Sequence, residues 1–254
     1  MNLAIIQPTS TLGSIGAWNN YHLCLAQQVL KDPEYTEFFR DLKEIRGDFV
    51  ILDNGKAEGV SLTDEELMEA VRRLNPNVVA APDIIGQGAE SLEATHNFLD
   101  WFTLDSEVAV MGIPHLDGQD VKSFYENFKI LDRDSRISMI GISKYAVPKG
   151  LSRDDLIDGI DTTATPIHLL GLSQMDGVLE PLMYEGSALP IIGIDSSHYY
   201  LHAVEHTHQP PTGWQSSQIL KRNENFMEMN PPEMLENFHI DCRLRELVEL
   251  VGGI

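Results

Sequence analysis

Seven short apolar runs recur along the chain up to about residue 195, and stretches with helical spacing separate them. The runs fall at 3–6, 49–52, 78–82, 108–113, 137–142, 167–172 and 190–194. Apolar runs of this length read as strands buried on both faces, and strict alternation with helices implies parallel strands joined by right-handed crossovers. Seven or eight such units in 254 residues fit an α/β (β/α)8-type TIM barrel, with one strand irregular or missing. An open doubly wound sheet is the runner-up, but no Gly-x-Gly-x-x-Gly follows the first strand.

Three of the runs end at a carboxylate: Asp53, Asp83 and Asp195. A lone aspartate there commonly caps the next helix. A barrel, however, delivers all its strand ends to one mouth, so three together point to a site.

Between the runs, residues 21–30 have helical spacing, and 38–45 continue the first crossover layer. Thr63 with Glu66 is a capping box that opens a helix running to about residue 74. Further helices are expected at 88–101, 120–128, 154–160 and 178–184. The Pro210-Pro211-Thr212-Gly213 break divides a barrel domain at 1–213 from a helical extension at 214–254.

Composition narrows the function classes. Hydrophobic residues make up 43%, no run reaches membrane-spanning length, and no secretory signal pattern is present, so a cytoplasmic protein is expected. Cys24 and Cys242 are the only cysteines, which excludes a four-thiolate zinc site. A net charge of −21 argues against broad adhesion to nucleic acid, so a polynucleotide would need a local basic patch. Lys56, Lys144, Lys149 and Arg153 lie in strand-end loops and would form such a rim; Lys221, Arg222, Arg243 and Arg245 are the alternative.

Asp53 and Asp195 end different strands, so a barrel can bring them together. Paired carboxylates suit displacement at a sugar C1, where one attacks or stabilises an oxocarbenium-like centre and the other handles protons. They also suit a divalent metal, and the sequence leaves both open. His198, His202 and His206, with His208 beyond, would line one helical face, and a metal-dependent hydrolase is the corresponding alternative.

Five pieces then occur in a telling order: Asn20-Tyr21-His22-Leu23, Ile51-Leu52-Asp53-Asn54-Gly55, Val110-Met111-Gly112-Ile113, Leu169-Leu170-Gly171-Leu172 and Ile194-Asp195-Ser196-Ser197. Together, across about residues 20–198, this order resembles the tRNA-guanine transglycosylase superfamily. The resemblance implies a barrel enzyme that exchanges guanine for a 7-deazaguanine base on a polynucleotide without a cofactor. It places the nucleophile on Asp195, the acid/base on Asp53 and a base-edge contact on Asp83. Gly141 and Leu170 fall near base-pocket positions, and Asn54 joins the substrate-binding group.

The departures are specific. Gly55-Lys56-Ala57 lacks the family's aromatic residue, Pro114-His115 replaces a base-reading Gln pair (His115 could still donate), and the zinc-binding Cys subdomain is absent. A shortened member of this kind looks most like the phage DNA-guanine transglycosylases, which insert bases such as 7-cyano-7-deazaguanine into DNA. The expected partners are therefore DNA, or alternatively tRNA, and a free deazaguanine. The expected location is the host cytoplasm, with no metal and no membrane.

Overall fold

The computed structural model describes residues 1–6, 9–15, 19–102, 107–172, 180–184 and 186–197. It is a nearly closed, eight-stranded parallel barrel with helices between strands, an irregular TIM barrel. The strands are β1 (Asn2–Ile5), β2 (Tyr21–Leu25), β3 (Phe49–Asp53), β4 (Val78–Ala80), β5 (Ala109–Gly112), β6 (Ile137–Ser143), β7 (Ile167–Leu170) and β8 (Ile191–Ser196). The hydrogen-bonded order runs β1-β8-β7-β6-β5-β4-β3-β2. The remaining seam, between β1 and β2, is bridged by Asn19, whose buried amide donates to Leu3 O at 3.0 Å and Tyr21 O at 2.8 Å.

One expectation is corrected here: residues 21–25 form a strand, and the helix is only Ala26–Lys31. Strand passes into helix with no intervening glycine or proline, and Leu25 at the junction makes no side-chain cap, so neither usual marker is present. All five strand residues are buried, which hides the two-residue alternation that would reveal them.

The capping box at Thr63 forms as expected and starts the helix Asp64–Leu74. The helices Gly88–Phe102 and Val121–Arg133 also fall where helical spacing places them. Residues 198–254, including the proposed extension and His198, His202, His206 and His208, lie outside the described residues.

Two apolar layers follow from strand alternation. Ala4, Leu23, Ile51, Met111 and Met139 fill the barrel interior, while Leu3, Cys24, Leu52, Val110 and Ile140 pack outward against the helices. Asp53 lies two residues beyond Ile51, so parity turns it into the barrel mouth. His168, between outward-facing Ile167 and Leu169, is likewise turned inward.

Candidate active site

The carboxyl ends of the strands surround one open cleft. Ile6 beyond β1, Leu25 of β2, Asp53 of β3 and Asp83 beyond β4 line one half. Ile113 beyond β5, Ser143 of β6, Leu170 of β7 and Asp195 of β8 line the other. Every strand thus delivers a residue to the cleft, and Asp53, Asp83 and Asp195 share it.

Asp195 is 5% exposed and is held by two N–H groups. Its Oδ1 accepts from Gly171 N and pairs with His168 Nε2, each at 3.1 Å. Across the ring, His168 Nδ1 lies 2.8 Å from the Tyr21 hydroxyl. Burial, reinforced by the negative charge of Asp195, raises the Tyr21 phenol far above its ordinary range, so the hydroxyl keeps its proton. If the hydroxyl donates to Nδ1, the ring's proton is left on Nε2, facing Asp195.

Asp53 has a different surrounding. It accepts one backbone N–H, from Gly55 at 3.0 Å. Burial raises its carboxyl well above the usual carboxylate range, and the charges of Glu58, Asp195 and Asp83 push the same way against the Gly55 hydrogen bond. Glu58 stands at the exposed rim, yet the cleft walls strip solvent from its carboxyl. That desolvation raises it, Asp195 adds to the effect, and Lys144 opposes it. The neighbours of Asp53 thus favour its protonated form in the cleft it shares with Asp195.

Asp83 is fixed on both oxygens. Oδ1 accepts from Asn54 Nδ2 at 2.7 Å, and Oδ2 lies 2.5 Å from His115 Nε2. This corrects the expectation for His115. Its side chain is wholly buried behind Asp83, so it orients that carboxylate and does not reach a base. Asn54 lines the cleft, but both amide hydrogens are engaged, with Ala81 O and Asp83, and its oxygen accepts from Lys56 N. It too acts as a brace. Gly141 lies in the barrel interior: a Cβ there would meet Leu170 Cδ1 at 2.8 Å, Met111 Sδ at 3.1 Å and Ile113 Cγ1 at 3.2 Å. Its missing side chain lets Leu170 and Ile113 reach the cleft.

The basic residues divide. Lys56 and Lys144 line the cleft, and Lys144 Nζ lies 5.2 Å from the centre of the Tyr145 ring. Lys149 is exposed on the same connection but outside the cleft lining, with its backbone N–H donating to Gln119 Oε1. Arg153 is a correction: at 1% exposure it cannot belong to a rim. Its guanidinium donates to Ile142 O and Leu170 O at 3.2 Å and to Gly171 O at 2.7 Å, tying β6 to β7 below the mouth.

Sequence reasoning missed His168, Tyr21 and Glu58. The available signal was a histidine inside an otherwise apolar run, since a buried polar ring requires partners. Among the described residues no group of three or more His, Cys, Asp or Glu side chains is placed to hold a metal ion. No helix among them is long and apolar enough to cross a membrane. No family model matches the chain, and no curated protein matches it.

Proposed function

We propose that the chain is a base-exchange transglycosylase that replaces guanine in DNA with a 7-deazaguanine through a covalent link to Asp195. The observation that supports this reading most is the differentiated carboxylate pair: Asp195 accepts two N–H bonds, while Asp53 is pushed toward its protonated form in the same cleft. The order of sequence pieces shared with the guanine transglycosylases supplies the substrate class.

The reaction balances over two steps. An Asp195 carboxylate oxygen attacks the deoxyribosyl C1, and the C1–N9 bond breaks with its electron pair going to guanine. The Asp53 proton neutralises the leaving base. The incoming deazaguanine returns a proton to Asp53, its N9 attacks C1, and Asp195 departs as a carboxylate. Asp83, held by Asn54 and His115, keeps acceptor capacity for the N–H edge of the base. Ile85 and Tyr145 are partly exposed beside the cleft and would cover a ring flipped out of a duplex.

Incubation with labelled guanine and either DNA or tRNA tests the reading. Label should enter DNA with the parent protein and not with Asp195→Asn, which should remain folded. Uptake into tRNA alone would replace the DNA substrate. No uptake into either polymer, or full exchange by the folded Asn variant, would overturn the proposal.

A further inference from the structure

The chain from Tyr21 to Asp195 is more than a way to satisfy a buried ring. His168 is wholly buried, and both of its nitrogens have a partner of different chemistry. Tyr21 has a fixed place as well. Its ring stacks on Phe49 with centroids 5.4 Å apart and planes 4° from parallel. Opposite it on β8 lies Gly193, where a Cβ would sit 2.7 Å from Tyr21 Cε1, Cζ and the hydroxyl oxygen. Only a residue without a side chain lets the hydroxyl reach His168. Gly193 is also the β8 residue paired in register with His168. Gly193, Tyr21, His168 and Asp195 therefore form one connected arrangement contributed by β2, β7 and β8.

We propose that Tyr21 and His168 are positioning residues that orient Asp195 for attack. The Tyr21 hydroxyl occupies Nδ1, which keeps the His168 proton on Nε2, and Nε2–H together with Gly171 N holds Asp195 by Oδ1. Oδ2 then has no donor among the described residues and is the oxygen available to attack C1. No proton moves along the relay: His168 donates a hydrogen bond to Asp195 in the free protein and again as the carboxylate is released. Without the Tyr21 hydroxyl, the His168 proton can settle on Nδ1, and a lone pair would then face the carboxylate.

The kinetic consequence rests on the base-exchange reading; the tautomer does not. Tyr21→Phe keeps the ring stacked on Phe49 and removes only the donor. It should lower kcat for guanine exchange by about tenfold or more with KM unchanged, as loss of a tautomer-setting partner does elsewhere. Gly193→Ala should act like Tyr21→Phe by pushing the hydroxyl aside. His168→Gln, which can still donate to Asp195, should retain more kcat than His168→Leu. A purely structural role would lower Tm in these variants and leave the kcat of folded protein intact, which would overturn the proposal.

The second measurement needs no substrate. Ring 15N shifts of histidine-labelled protein, with His168 assigned by its loss in His168→Gln, should report an Nε2–H neutral ring in the parent and a shift toward Nδ1–H in Tyr21→Phe. An Nδ1–H ring in the parent would overturn the relay. Absence of exchange by the parent would overturn the base-exchange reading while the 15N result still decides the relay.

Discussion

Asp53 holds its proton more tightly in the folded chain than in water, because burial and the charges of Glu58, Asp195 and Asp83 all oppose ionisation. The sign of the linkage follows. A carboxyl raised by folding contributes stability that is fully present below the ordinary aspartate range and is lost as pH rises through the raised value. Asp53→Asn removes that titration and can still accept from Gly55 N. Its Tm should exceed the parent's at neutral pH, by about 2–4 °C for each kcal/mol recovered, and the difference should shrink as pH falls toward the ordinary range. Exchange should be lost in the same variant, since a site poised for proton transfer trades stability for function. A neutral-pH melting experiment in which the variant is the less stable protein would contradict this. Both aspartates were visible in the sequence because strand parity and an abrupt end to apolar character place them at the mouth. His168 and Tyr21 were not, because their significance is a contact between residues 147 apart in the chain.

Arg153 illustrates the limit of position-based reasoning at the level of elements. It opens the helix Arg153–Asp158 in a loop on the catalytic side, and from sequence a cation there belongs to a surface rim. The side chain instead turns under the mouth and donates to the carbonyls of Ile142, Leu170 and Gly171 at the ends of β6 and β7. Arginine's planar fork suits this task, and lysine's single ammonium does not. Arg153→Met should therefore cost about 2–3 kcal/mol, since the three carbonyls lose their charge-assisted hydrogen bonds. Chemical denaturation would measure it, and a loss below about 1 kcal/mol would show that the carbonyls find other partners. Arg153→Lys should recover only part. The same lesson applies to the β1–β2 seam. The capped helices and isolated apolar runs announce themselves locally, whereas β2 and its bridge through Asn19 depend on what lies opposite.

At the scale of the whole molecule, a net charge of −21 must meet a polyanion if the substrate is DNA. At about 0.01 M salt the screening length is about 30 Å, so the general negative field opposes approach; at about 0.1 M it is about 10 Å, and that opposition fades. Local phosphate contacts respond in the reverse sense and weaken as salt rises. Lys56 and Lys144 are the cleft-lining cations among the described residues, and they share the cleft with Asp53, Glu58, Asp83 and Asp195. Two contacts would give a slope of log affinity against log salt of about −1.4 to −1.8, made shallower by the screened repulsion. Fluorescence anisotropy with a short oligonucleotide across a salt series should find this weak dependence. Lys56→Ala with Lys144→Ala should flatten it further, whereas Lys149→Ala, outside the cleft lining, should change it less. A slope of about −4 or steeper would require about three or more further phosphate contacts. The Lys221, Arg222, Arg243 and Arg245 segment, beyond the described residues, would then be the place to seek them, and neutralising those four positions should remove the excess.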